Sequence, residues 1–80
     1  MEYEEALNIY RELAEKEPET YLPYVAATLN NLGILDRAQN RPEEARKAFE
    51  EALKIYKSFA KQDPDQFWPL VERMKKLLKQ

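Results

Sequence analysis

The stretch LNNLGILDRAQNRPEEARKAFEEA, Leu29 to Ala52, decides how this chain is organised. It reads as two helices hinged at Arg41-Pro42. Leu29, Leu32 and Gly33 lie on one side of the first, while Ala45, Phe49 and Ala52 recur at i, i+4 and i+7 along the second. A small residue on one helix admits a neighbouring backbone, and a ring on the other fills the space beside it. Pro42 suits a first helical position, and Glu43 and Glu44 suit the positive end of the helix that follows. The predicted unit is a helical hairpin whose faces are made for stacking.

Working outward, Tyr3, Ala6, Leu7, Tyr10, Leu13 and Ala14 fall at three- and four-residue steps between charged residues, which predicts an amphipathic helix ahead of this hairpin. Pro18 is expected to stop it, with Glu17-Pro18-Glu19 as a turn, Thr20 as the next N-cap and Pro23 in the following first turn. The helix from there carries Leu22, Val25, Leu29, Leu32, Ile34 and Leu35 to about Ala38, an apolar surface wide enough to meet neighbours on more than one side. The helix after Pro42 keeps its stripe through Ala48, Ile55, Tyr56, Phe59 and Ala60. Asp63-Pro64-Asp65 breaks the chain again before a last helix bearing Phe67, Trp68, Leu70, Val71, Met74, Leu77 and Leu78. The expected fold is therefore all-α, four antiparallel helices at about 2–17, 20–38, 42–62 and 66–79, stacked as helical hairpins in a single domain, 1–80.

Leu29, Leu32, Gly33, Ala45, Phe49 and Ala52 resemble the tetratricopeptide repeat pattern of a large apolar residue, Leu-Gly, and then Ala, an aromatic and Ala on the second helix. Asp36 stands where the family places an aromatic, and Lys57 where it usually places a proline. Sliding the chain by 46 positions lays Glu5-Ala6-Leu7 on Glu51-Ala52-Leu53, Ile9-Tyr10 on Ile55-Tyr56, Ala14 on Ala60, Pro18 on Pro64, Pro23 on Pro69 and Val25 on Val71; Tyr3 falls on Phe49 and Tyr21 on Phe67. General helical patterning does not reproduce paired prolines with rings around them, so one unit is repeated. The period exceeds the family's usual one of about 34 residues, and so is similar to long-helix members such as the repeats of kinesin light chains. The phase is half a repeat, a full repeat and half a repeat. Such stacks use neighbours or polar caps to cover their ends.

Composition narrows the function. A chain of 80 residues buries only roughly 60–65% of the surface its unfolded form exposes, so its stability is modest. A formal charge of -2 does not select nucleic acid or an acidic membrane as the main partner. The charges are nonetheless uneven: Glu2, Glu4, Glu5, Glu12, Glu15, Glu17 and Glu19 crowd one end, and Arg73, Lys75, Lys76 and Lys79 the other. No histidine or cysteine is present, which removes imidazole bases, thiolates and nitrogen/sulfur metal sites. Ser58, the sole serine, has no nucleophile motif around it. Glu4-Glu5, Glu43-Glu44 and Glu50-Glu51 are accounted for by helix starts and solvated faces. With one glycine there is no phosphate-cradling loop. The opening Met-Glu-Tyr-Glu-Glu does not read as a signal peptide, and no apolar run approaches the roughly 20 residues of a membrane span. A cytoplasmic, non-catalytic chain without cofactor or metal is expected.

Two readings of its interactions stay open. The resemblance implies a protein–protein interaction module in which first helices line a concave groove; Asn30, Asn31 and Ile34 would then face an extended peptide and Arg37 an acidic side chain, an amide being able both to donate to and accept from a peptide unit. The alternative is an engineered or excised repeat whose partner is a second copy, joined as a homodimer or by helix swapping through Phe67, Trp68, Leu70 and Val71.

Overall fold

Three dipeptides, Glu17-Pro18, Arg41-Pro42 and Asp63-Pro64, start three of the four helices by one device. In the computed structural model, which describes residues 2–80, each residue before the proline is extended, with φ between -120° and -140° and ψ of 73–76°. Each proline then takes the first helical position, where its missing N–H costs nothing. The elements are α1 (Tyr3–Lys16), α2 (Pro18–Ala38), α3 (Pro42–Ala60) and α4 (Pro64–Lys79), the four antiparallel helices that the apolar periodicity predicts.

The junctions are tighter than the sequence suggests. α2 begins at Pro18, so Glu17-Pro18-Glu19 is not a separate turn and Thr20 is not the N-cap. The single residue Glu17 ends one helix and starts the next. Its N–H donates to the Leu13 carbonyl, and its own carbonyl accepts from Thr20 and Tyr21. Pro23 consequently lies within α2, where it removes the hydrogen bond that the Glu19 carbonyl would have accepted. Pro69 does the same within α4. α4 likewise starts at Pro64, with Asp63 Oδ1 accepting from the Gln66 N–H at 3.3 Å, and α3 ends at Ala60. α2 ends in a Schellman arrangement: Arg41 N–H donates to the Asp36 carbonyl at 2.8 Å, Asn40 N–H to the Arg37 carbonyl at 3.0 Å, and Asn40 takes the left-handed conformation at φ 62°. Asparagine tolerates that region better than most non-glycine residues.

Each helix packs on the next in sequence, and the Cα envelope of 34 × 26 × 16 Å has the thickness of two helix layers spaced by the usual 8–10 Å or so. Phe49, Met74, Val25 and Val71 are the largest fully buried side chains. Phe49 fills the space over Gly33: a Cβ built on that glycine would lie 2.5–2.9 Å from three of its ring carbons. α2 buries Val25, Ala26, Thr28, Leu29, Gly33 and Asp36 and packs on both α1 and α3, as its broad apolar surface predicts. Arg11 of α1 grips Glu51 of α3 through one Nη2, 2.9 Å from each carboxylate oxygen. Both side chains are almost half exposed, so this pair orients the helices more than it stabilises them.

Candidate functional site

α2 and α4 both rest on α3, and the space between them is a groove of about 610 Å³. Its α2 wall is Thr20, Pro23, Tyr24 and Ala27; Tyr56 and Phe59 of α3 form the floor; Gln66, Phe67 and Leu70 of α4 form the second wall. Glu19, Gln62 and Asp63 rim one end. Aromatic contacts hold this surface in shape. The Phe67 ring is 5.2 Å from Phe59 and 6.3 Å from Tyr56, both tilted, while Tyr24 stacks on Tyr10 of α1 at 5.3 Å and leans on Tyr21 at 6.1 Å. Such offset and tilted geometries are the favoured ones for rings. Burial pushes the Tyr56 phenol above its usual pKa, against a smaller opposing influence from Arg73, so it faces the groove as a neutral group.

The α2 wall continues beyond the aromatic section. Pro23, Ala27, Asn30 and Ile34 are spaced i, i+4, i+7 and i+11, one stripe along the helix. Asn30 is half-buried, and its Oδ1 is buried with no hydrogen-bond partner among the described residues. Ile34 and Asn31 are exposed. Arg37 lies one turn further on and is engaged within the molecule: its guanidinium sits 4.9 Å over the Phe49 ring, Nη2 donates to the Leu77 carbonyl, and Nη1 donates to Gln80 Oε1 at 3.1 Å. A cation at the last carbonyls of α4 also answers the negative end of that helix. Arg37 thus ties the end of α4 to α2.

The four residues predicted for self-association do not share one surface. Phe67 and Val71 are buried in the chain's own core, Leu70 is half-buried in the groove wall, and Trp68 alone is exposed, with Lys75 Nζ 5.4 Å from its ring centre. Pro23, Tyr24, Tyr56, Phe59 and Gln66 belong to the groove and were not singled out from the sequence. Pro23, Ala27 and Asn30 share a stripe on the helix expected over 20–38, but the groove also needs α4 as its second wall, which spacing along α2 does not encode. Among the described residues, no three His, Cys, Asp or Glu side chains are grouped to hold a metal ion, and no helix is long and apolar enough to cross a membrane.

Antiparallel helical hairpins repeated along the chain, each helix covering part of the next, define an α-helical repeat protein of the solenoid kind. Residues 1–58 match the family model of the tetratricopeptide repeat. The chain belongs to that family, whose members are protein–protein interaction modules. No curated protein and no solved structure matches it.

Proposed function

We infer that the chain is a non-catalytic cytoplasmic scaffold which binds an extended peptide segment of a partner protein in the groove between α2 and α4. The observation that carries this reading is the groove itself: Pro23, Tyr24 and Ala27 of α2 face Phe67 and Leu70 of α4 across a space of about 610 Å³ floored by Tyr56 and Phe59. Asn30 continues the α2 wall on the same helical stripe as Pro23 and Ala27, where its side-chain amide can meet the backbone of a peptide laid along α2. The aromatic section then takes an apolar side chain of the peptide between Tyr24 and Phe67, above Tyr56 and Phe59. Asn31 and Ile34, exposed beside this track, extend it toward Arg37, whose role is to fix the end of α4 against α2.

The test is selection of displayed random peptides on the intact chain, followed by mapping of the winners through backbone amide shifts. Binders should perturb Ala27, Asn30, Gln66 and Leu70, and Asn30→Leu should abolish their binding while the helical content is retained. Peptides that bind Asn30→Leu as well as the parent, or that map to α1, would refute the assignment.

Self-association through α4 has less support, because Phe67 and Val71 are already used internally. Trp68→Glu should leave the mass in solution unchanged.

A further inference from the structure

One end of the α2/α4 groove carries charge of a single sign. Among the described residues that line the groove, Glu19 and Asp63 alone are charged, and neither pairs with a cation of this chain. Asp63 Oδ1 accepts the Gln66 N–H, and a carboxylate has acceptor capacity beyond one such bond. The internal repeat doubles this acidity. Glu17-Pro18-Glu19 lies 46 positions ahead of Asp63-Pro64-Asp65, so α2 and α4 start beside one another with the same acid-proline-acid triplet, and these carboxylates are exposed. A helix start contributes roughly half a positive charge, and two starts do not neutralise both triplets. Arg73, whose charge is felt at Tyr56, stands about 15 Å beyond Asp63 along the α4 axis. A cation entering the groove is therefore drawn to the helix starts.

The same end offers an apolar path beside the acids. A hollow of about 200 Å³, bounded by Pro18, Leu22 and Ser58, adjoins the groove and shares Glu19, Phe59 and Gln62 with it. A side chain that leaves the groove here passes the half-buried Phe59 ring with Glu19 beside it. Ring faces attract cations, and the chain uses that attraction itself: Arg37 sits 4.9 Å over Phe49, and Lys75 Nζ is 5.4 Å from the Trp68 ring centre. Aromatic surface bordered by unpaired carboxylates suits a cation on an apolar stem.

We propose that the end of the groove at Glu19, Phe59 and Asp63 binds an arginine side chain of the partner, its methylenes over the Phe59 ring and its guanidinium on the two carboxylates. Arginine fits better than lysine because its planar, weakly hydrated head stacks on rings and presents a fork of N–H donors to carboxylates. The inference rests on the reading of the groove as a peptide site and names the residue that anchors and orients the peptide. The arginine lies at the helix starts, the neighbouring apolar side chain sits between Tyr24 and Phe67, and the rest of the segment runs along α2 toward Asn30. Charge sets this polarity, since the opposite placement would bring the arginine toward Arg73 and away from its carboxylates.

The experiment uses two kinds of probe on the intact chain. The first is acetyl-arginine methylamide beside its citrulline counterpart, which has the same shape without the charge. The arginine probe should shift the backbone amides of Thr20, Phe59, Gln62 and Gln66, the citrulline probe should not, and the shifts should fade as ionic strength rises from about 0.05 to 0.5 M. Glu19→Gln with Asp63→Asn should remove them with helical content unchanged, since asparagine keeps the α4 cap; Glu43→Gln with Glu50→Gln, outside the groove, should not. The second probe is the set of display-selected peptides that map to the groove. Replacing their arginine by citrulline should weaken binding about tenfold, and the Glu19→Gln, Asp63→Asn chain should lose about as much for the arginine peptide and nothing for the citrulline one. The proposal is overturned, and the peptide groove survives, if groove-bound peptides tolerate citrulline or if the doubly neutralised chain binds them as tightly as the parent. If the arginine probe behaves as expected but no selected peptide maps to the groove, the arginine site stands and the peptide reading fails.

Discussion

Gly33→Ala tests the contact on which the hairpin geometry depends. The added Cβ would stand 2.5 Å from Phe49 Cε1, 2.8 Å from Cδ1 and 2.9 Å from Cζ, against roughly 3.5–4.0 Å for carbon atoms at optimal separation. The ring cannot swing into solvent, because Phe49 is fully buried. Either α2 and α3 must separate by about the missing ångström, or Phe49 must leave its rotamer. Overpacking of this kind costs roughly 1–3 kcal/mol. Replacing an interior helical glycine with alanine returns about 0.8–1 kcal/mol, so a net loss of about 1 kcal/mol is expected, with a melting temperature lower by roughly 4–8 °C in a domain of this size. The sign is the diagnostic. In a Phe49→Leu background the ring is gone, and Gly33→Ala should become stabilising by about its propensity gain, which gives a coupling energy of roughly 1–3 kcal/mol in the double-mutant cycle. Urea unfolding followed by far-UV circular dichroism measures all four proteins. A stabilising Gly33→Ala in the parent chain would refute the reasoning, since only an empty space beside residue 33 permits it.

Three further outcomes are expected. Arg37→Met keeps an apolar stem but removes the guanidinium over Phe49 and the donors to the Leu77 carbonyl and Gln80; stability should fall by about 1–2 kcal/mol, and hydrogen exchange should quicken in the last turn of α4 more than in α2. Asp63→Ala removes the sole side-chain N-cap found at these helix starts and should cost about 0.5–1 kcal/mol by thermal melting, with Asp63→Asn close to the parent. Tyr56 has a raised pKa in the folded chain, so its contribution is fully present below the unfolded phenol value of about 10 and is lost as pH climbs from there through the folded value. Tyr56→Phe should therefore flatten the alkaline decline in stability measured by urea titration.

What could be read in advance follows from which physical signals are local. The Gly33/Phe49 complementarity, the start at Pro42 and the repeat at 46 positions are properties of spacing, and the fold carries them. Pro23 is expected in the first turn of a helix capped by Thr20; it lies deeper in α2 because the pre-proline geometry of Glu17 starts the helix at Pro18, and it removes only one hydrogen bond there. Asn30 lies on the groove stripe because its position along α2 is set by helical periodicity. Arg37 shares that helix, but its role depends on where α4 ends, and nothing near Arg37 in sequence encodes the Leu77 carbonyl. Phe67 and Val71 look identical to interface residues in an apolar stripe. Only the position of α3 decides that they are core and that Trp68 is not.

The two halves of the chain show that burial here belongs to junctions rather than to residues. Tyr3 and Phe49 occupy equivalent positions in the repeat, yet one is well exposed and the other is sealed, because a glycine-bearing helix stands before the second and not before the first. The same logic makes the groove walls unequal. α2 is pinned between α1 and α3, whereas α4 packs chiefly on α3 and is tied at its far end by Arg37. The α2 wall, with Pro23, Ala27 and Asn30, is therefore the preorganised template, and the width of the groove is set by where α4 settles. A ligand that bridges Tyr24 and Phe67 must draw on α4's freedom, so its affinity depends on how firmly Arg37 has already fixed that helix.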